Sequence, residues 1–359
     1  MKSNIFVDSL EPYKLSQHAA WNYIGDPELL KLDWNESTFK PSPLVTKALY
    51  ELVQSGTLNY YPDTNNYKLK EKLAKYSATN KENLEFYSSS DGAHEYLFRA
   101  FGNPKDNLLI VGPTYDNLRV VAQSAGLVIT YLNLLRENSF CPEYKLLETE
   151  LFKTNPDFVY LCNPNNPTST LWSTSELERL IYENKNTMFI IDEAYYEFNG
   201  RSLAQLASKV KNLIVSRTFS KAFGLAGIRF GYLISCPENI EIIGRIRNGK
   251  SVNSFAQAAV MAAIEDEAYM KTNVAEVMKA KKYFEKNLMD LGISTFGGEA
   301  GNFILCDFGE GALNIIKSLE QKKIFVRALP KLESGGFIRI TIGSIPDMDR
   351  VLNIIKTSL

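Results

Sequence analysis

The chain is poor in the residues that build metal centres and histidine triads. It has two histidines, His18 and His94, and four cysteines, Cys141, Cys162, Cys236 and Cys306, in 359 residues. The cysteines stand apart with no CxxC pair, so no metal site is expected and reduced thiols are the default. His94 lies in a helix-like stretch and reads as a packing residue. His18 lies in a segment able to reach a site but is not assigned a catalytic role. An excess of charge of one sign is also missing. Lys and Arg number 40 against 41 Asp and Glu, a net charge of −1 spread along the chain, which argues against a nucleic-acid partner drawn by a basic field. No apolar run approaches the roughly 20 residues that span a bilayer. The opening Met1–Asp8 is too short and too soon acidic for a signal peptide, so a cytoplasmic protein with no membrane partner is expected. What is present is 45% hydrophobic and 23% charged, an ordinary globular composition with length enough for a large core and two domains.

Strand-like runs at 107–111, 128–132, 157–161, 188–191, 212–215 and 231–234 alternate with helix-like stretches at 91–101, 115–124 and 174–182. Apolar, β-branched strands alternating with helices predict an α/β fold with a mostly parallel sheet covered on both faces. After Pro237 the pattern changes. Residues 256–285 read as one long amphipathic helical element. Strand runs at 303–306, 324–326 and 337–340 and a helix near 348–357 then predict a smaller α+β domain. Residues 1–40 carry Pro12 and Pro27 and read as an irregular arm. The expected division is 1–40 for an arm joining the small domain, 41–240 for the large domain and 241–359 for the small one.

In open parallel sheets, ligands sit outside the carboxyl ends of the strands. Three polar clusters stand there: 163–168 (Asn-Pro-Asn-Asn-Pro-Thr), Asp192–Tyr195, and Lys221 beyond the strand at 212–215. Each alone is readable as an Asn/Pro turn, an acidic helix start or a surface lysine with capping hydroxyls. Together they match the chemistry of pyridoxal phosphate. Lys221 is placed to form a Schiff base and to move the substrate's Cα proton. Asp192 would pair with the pyridinium nitrogen. Asn166 and Tyr195 would hydrogen-bond the ring's phenolic oxygen. Ser90 and Asp91, at a helix start, would offer N–H groups to the phosphate, with Thr218, Ser220 and Arg229 completing the cradle. Tyr115 would stack on the ring.

An ordered series of motifs carries a resemblance along nearly the whole chain. It comprises Trp34-Asn35-Glu36, Tyr61-Pro62-Asp63, Ser90-Asp91-Gly92, Pro113-Thr114-Tyr115, Asn165-Asn166-Pro167-Thr168, Asp192-Glu193-Ala194-Tyr195, Ser220-Lys221-Ala222-Phe223 with Arg229, Asn302-Phe303-Ile304-Leu305 and Arg339-Ile340-Thr341-Ile342-Gly343. The chain resembles the fold-type-I pyridoxal-phosphate-dependent aminotransferases of the aspartate aminotransferase type. Within them it is most similar to histidinol-phosphate aminotransferases. The resemblance implies a homodimer with shared active sites, in which Tyr61 reaches the neighbour's cofactor phosphate. It implies that Tyr13, Asn35, Arg327 and Arg339 bind the substrate, the arginines holding its phosphate or the carboxylate of glutamate.

The chain departs from that pattern at three places. Ser169 stands where the family has glycine, Gly92 where it has an acidic residue, and Gly249-Lys250 where it has proline and an aromatic residue. A lysine at 250 either faces a second anionic group of the substrate or is exposed on a loop. The run 244–251 also satisfies the phosphate-loop pattern GxxxxGK[ST], which means nothing without a preceding strand and a following helix. The leading expectation is an aminotransferase moving an amino group from glutamate to a small phosphorylated keto substrate. The alternatives are a decarboxylase of a phosphorylated amino acid, such as O-phosphoserine or O-phosphothreonine, and a cofactor-binding protein without catalysis.

Overall fold

The structure is a computed structural model that describes all residues except 1, 2, 9, 13–18, 299, 331, 333 and 334. Among the described residues, twelve strands form two sheets: β1 (Leu30–Leu32), β2 (Leu84–Tyr87), β3 (Asn107–Gly112), β4 (Val128–Asn133), β5 (Phe158–Cys162), β6 (Met188–Asp192), β7 (Leu213–Thr218), β8 (Gly231–Ile234), β9 (Ser294–Phe296), β10 (Phe303–Asp307), β11 (Ile324–Ala328) and β12 (Phe337–Thr341).

The larger sheet has the order β2-β8-β7-β6-β5-β3-β4. The pairs from β4 to β7 are parallel, and β8 runs against both of its neighbours. Strands β5, β7 and β8 are buried at every residue. That is why β5 and the first half of β7 read as continuous apolar runs, since a parallel sheet with helices on both faces has no polar side. Helices Ser90–Phe101, Asn117–Ser124 and Thr174–Glu183 provide cover.

The smaller sheet has the order β1-β11-β12-β10-β9. Its edge strand β1 comes from the N-terminal segment and pairs in parallel with β11, Leu30 facing Ile324 and Leu32 facing Val326. The segment read as irregular thus contributes three residues of sheet. Their pattern, two leucines around Lys31, is too short to register as a strand period. The long helical element is two helices, Ser254–Glu265 and Glu267–Asp290. They break at Asp266, whose backbone leaves the helical region and whose carboxylate accepts the Ser42 hydroxyl at 2.5 Å. The first packs on Pro43–Gln54 and Tyr67–Tyr76, beside the larger sheet; the second packs on the C-terminal helix Ile345–Ser358 and on β9. Among the described residues no helix is long and apolar enough to cross a membrane.

Candidate active site

Asp192 is the last residue of β6, with its Cα opposite Ser216 of β7. Its carboxylate is buried and accepts hydrogen bonds from Tyr160 Oη and from the Ala194 amide, each at 3.0 Å. Burial raises its pKa above the usual carboxylate range, with nearby His94 and the two hydrogen bonds opposing. Among the described residues no cationic side chain forms an ion pair with it. His94, from helix Ser90–Phe101, is buried as a packing residue would be, but it is more than packing. Its Nε2 lies 2.9 Å from Ser216 Oγ and its ring meets Tyr160 edge-on. Its Nδ1 is buried without a hydrogen-bond partner among the described residues.

Lys221 stands three residues beyond the end of β7, and its ammonium donates to the carbonyl of Trp34 at 3.0 Å. Burial pulls its pKa down to about 8; the neighbouring Arg339 guanidinium pulls the same way, while Glu36 and Asp91 oppose. A lysine so placed is neutral far more often near physiological pH than an exposed one, and only the neutral amine is a nucleophile or base.

The N-terminus of helix Ser90–Phe101 lies against β8. Ser89 caps the helix by accepting from the Gly92 amide at 3.1 Å. The close approach depends on Gly231, because a Cβ there would lie 2.3 Å from the Ser90 nitrogen. Opposite Gly231 is Thr218, whose hydroxyl accepts from the Ser220 amide at 3.1 Å and lies 2.9 Å from Ser220 Oγ. Arg229, left-handed at φ 57, brings its guanidinium to 3.8 Å from Asp91. Asp91 also accepts from Tyr115 Oη at 3.0 Å and Asn117 Nδ2 at 3.1 Å. Ser90, Asp91, Tyr115, Thr218, Ser220 and Arg229 are therefore linked at one edge of the sheet.

The smaller sheet supplies the opposite wall. Asn35 Nδ2 donates to Tyr195 Oη at 3.0 Å, and Asn302 Nδ2 donates to the Asn35 carbonyl at 3.1 Å. Burial raises the Tyr195 pKa, opposed by Arg339 and by the Asn35 hydrogen bond. Arg339 donates to Asn166 Oδ1 and to the Asp33 carbonyl, each at 2.6 Å. Arg327 and Arg339 are direct partners across β11 and β12, so their side chains leave the same face. Two guanidinium groups on one face, one of them close enough to Lys221 to lower its pKa, make a basic surface suited to an anion.

Two further candidates stand elsewhere. Tyr61 is 78% exposed, and Lys250 Nζ lies over its ring at 4.3 Å; they meet each other on an exposed surface. Tyr13, like His18, falls outside the described residues. The phosphate-loop pattern lacks its context. Gly244 ends helix Pro237–Gly244, so a helix rather than a strand leads into the run, and Gly249–Ser251 is a single 3-10 turn. Arg247 within the run turns inward to the Phe86 and Thr64 carbonyls at 3.2 Å and to Glu85. Tyr160, the Trp34 carbonyl and His94 are the site groups that sequence reasoning missed, because each arrives through a long-range contact.

The residues fit pyridoxal phosphate. A buried carboxylate without a cation suits a protonated ring nitrogen, a desolvated lysine suits an aldehyde, and the close approach at Gly231 sets a helix N-terminus beside the Thr218 and Ser220 hydroxyls, a donor set that suits a phosphate. This is the site of a pyridoxal-phosphate enzyme of the α/β type. A sequence profile described as aminotransferase class I and II matches residues 27–355. The chain is 40% identical to a dihydroxyacetone phosphate transaminase of Campylobacter jejuni, over 99% of this chain and 97% of that one. It is 31% identical to a histidinol-phosphate aminotransferase of Caldanaerobacter subterraneus, over 93% and 94%. Among solved structures it is similar to the histidinol-phosphate aminotransferase of Sinorhizobium meliloti in complex with pyridoxal-5'-phosphate, with a TM-score of 0.88, 24% identity and coverage of 100% and 98%. The chain belongs to the class I and II aminotransferases and is a pyridoxal-phosphate-dependent transaminase of fold type I. The family and these relatives give the decarboxylase alternative no support.

Proposed function

We propose that this transaminase moves the amino group of glutamate onto a small phosphorylated ketone of the dihydroxyacetone phosphate type. The observation that carries the reading is Arg339, close enough to Lys221 to lower its pKa, with Arg327 as its cross-strand partner. Such a pair suits a dianionic phosphate in one half-reaction and a carboxylate in the other. The relative at 40% identity over 99% of this chain, named for dihydroxyacetone phosphate, favours a smaller acceptor than the imidazole compound of the histidinol-phosphate enzymes.

When bound, the cofactor supplies an electron sink that lets the substrate's Cα–H bond break heterolytically. The protein's residues do the rest. Arg339, held by Asn166 and the Asp33 carbonyl, fixes the substrate's anionic group. Lys221, neutral over a useful pH range, takes a proton from the substrate carbon and gives it back at another atom. Asp192 would hold the ring nitrogen protonated, and Tyr195, which accepts from Asn35, would hydrogen-bond the ring oxygen. Segment 33–41 lies against the lysine's turn, its Trp34 carbonyl on the amine and its Phe39 carbonyl against Gly224.

Two half-reactions test this. Glutamate alone should bleach the yellow enzyme and release one 2-oxoglutarate per site; no bleaching overturns glutamate as donor. The bleached enzyme should then be reoxidised by dihydroxyacetone phosphate at a kcat/KM at least about 10-fold above that for imidazole acetol phosphate; the reverse order returns the enzyme to the histidinol-phosphate reading. Arg339→Ala should raise KM for both glutamate and the phosphorylated acceptor by roughly 100-fold, the loss of about 3 kcal/mol of charge-assisted hydrogen bonding. An effect on one substrate only would assign the two anions to different groups.

The same reading includes a homodimer. Tyr50, Tyr60, Tyr61 and Tyr67 are all more than 60% exposed in the single chain, and a cluster of exposed aromatics marks a docking surface. Sedimentation at working concentration should give twice the chain mass of 40.5 kDa.

A further inference from the structure

Lys281 lies within helix Glu267–Asp290 and is only 2% exposed. Its ammonium donates to Ser169 Oγ at 2.7 Å, to the Ala300 carbonyl at 2.6 Å and to the Gly301 carbonyl at 3.4 Å. Withdrawing an ammonium from water is costly unless fixed acceptors replace the solvent. These three acceptors come from two places. Ala300 and Gly301 belong to the loop between β9 and β10 of the smaller sheet. Ser169 belongs to the turn that follows β5 of the larger sheet. Lys281 thus ties the two sheets at one point.

The same point shows a second close approach. Gly297, at φ 98, lies so near the turn that a Cβ would come 2.2 Å from the Thr168 carbonyl and 2.6 Å from Ser169 Cβ. Ser169 itself is left-handed at φ 59, the conformation that favours the glycine found here in the resembled family. A serine in that conformation is strained, and the hydroxyl it adds is the one Lys281 uses.

Each tied segment ends at a site residue. Three residues before Ser169 is Asn166, whose Oδ1 receives Arg339. One residue after Gly301 is Asn302, which leads through the Asn35 carbonyl and Asn35 Nδ2 to Tyr195. We propose that Lys281 and Ser169 form a latch between the two sheets that holds Asn166 at the distance Arg339 needs, which makes Lys281 a positioning residue for the substrate's anion. The inference rests on the reading of Arg339 as the anion's partner.

The test uses the cofactor-loaded enzyme and glutarate, a dicarboxylate that cannot react, with binding read by calorimetry beside the kinetics with glutamate. Lys281→Met should weaken glutarate and raise KM for glutamate by about 10-fold with kcat within about 3-fold, since misplacing a binding group by a fraction of an ångström costs on that scale. Ser169→Gly should weaken both by roughly 3-fold while thermal stability holds or rises, because glycine relieves the left-handed strain. The double variant should be no worse than Lys281→Met alone, because the hydroxyl acts only through the ammonium. Wild-type glutarate affinity and KM in a folded Lys281→Met, or purely additive effects, overturn the latch. Should Lys281→Met fail to fold, Ser169→Gly decides, and unchanged affinity there overturns it. Arg339→Ala separates the two levels. If it leaves glutarate binding intact, the anion reading falls and the latch with it; if it abolishes binding while Lys281→Met does not weaken it, the latch alone falls.

Discussion

Lys221→Ala should leave a folded protein that exchanges no amino group, with the single-turnover rate on glutamate down by at least about 10⁴-fold. The magnitude follows from the two roles proposed for this one atom, anchoring the cofactor and taking up the proton that leaves the substrate's Cα. Arginine at 221 should not rescue, because a guanidinium stays protonated at any working pH. Geometry gives this prediction a pH signature. Burial and Arg339 hold the amine's pKa down at about 8, against 10.5 for an exposed lysine. The neutral fraction therefore grows as pH rises through about 8 and is nearly complete by about pH 9. In cofactor-free protein, the rate at which Lys221 captures added pyridoxal phosphate should follow that curve and flatten above it. A rate that climbs steadily beyond pH 10 would show an ordinary solvated lysine and contradict the burial. Arg339→Ala should move the midpoint upward, since removing a neighbouring cation makes the ammonium easier to keep.

How far such a site is legible in sequence depends on how far apart its parts lie. Lys221 and Asp192 could be read because each stands at the carboxyl end of an apolar, β-branched run, and the parallel-sheet rule then places both at one edge. The strands β5, β6 and β7 were readable for the same reason. Strand β2, Leu84–Tyr87, was not, because Glu85 interrupts it. In the fold that carboxylate is buried between Lys70 at 2.7 Å and Arg247 at 3.2 Å, partners far from it in sequence. The break at Asp266 was hidden likewise, since the amphipathic pattern runs on across it and only the packing of Ser254–Glu265 against Pro43–Gln54 separates the two helices. Within the site, Tyr160 reads only as a strand aromatic and Lys281 only as one of several lysines on a long helix. Their roles come from what the sheets bring to them. The Arg327 and Arg339 pair is intermediate: each is a strand arginine by pattern, and only the β11–β12 register puts them side by side.

Asp192→Asn should cut the single-turnover rate by about 10³-fold while the cofactor-free protein keeps or gains thermal stability. The two halves of this prediction share one cause. The carboxylate is buried at the end of β6 with Tyr160 Oη and the Ala194 amide as its hydrogen-bond donors, and burial raises its pKa. An acid whose pKa is higher folded than unfolded binds protons more readily in the native state. Its contribution to stability is thus present at low pH and is lost as pH rises through the folded value, so above that value the ionised group is a net cost to the empty protein. Asparagine removes that cost and keeps an acceptor for one of the two donors. What it cannot do is balance a positive charge on the ring nitrogen, and without that balance the electron sink weakens when the substrate proton leaves. Added cofactor should therefore stabilise the wild type more than the variant, reversing their order. A variant that keeps more than about a tenth of the rate would show that the ring works unprotonated here and would take Asp192 out of the chemistry. His94→Ala offers the finer check. His94 lowers the Asp192 pKa, so its loss should shift the acidic limb of the rate profile upward and leave the plateau of the profile near its wild-type height. A fall at all pH values with no shift would mean that His94 only packs.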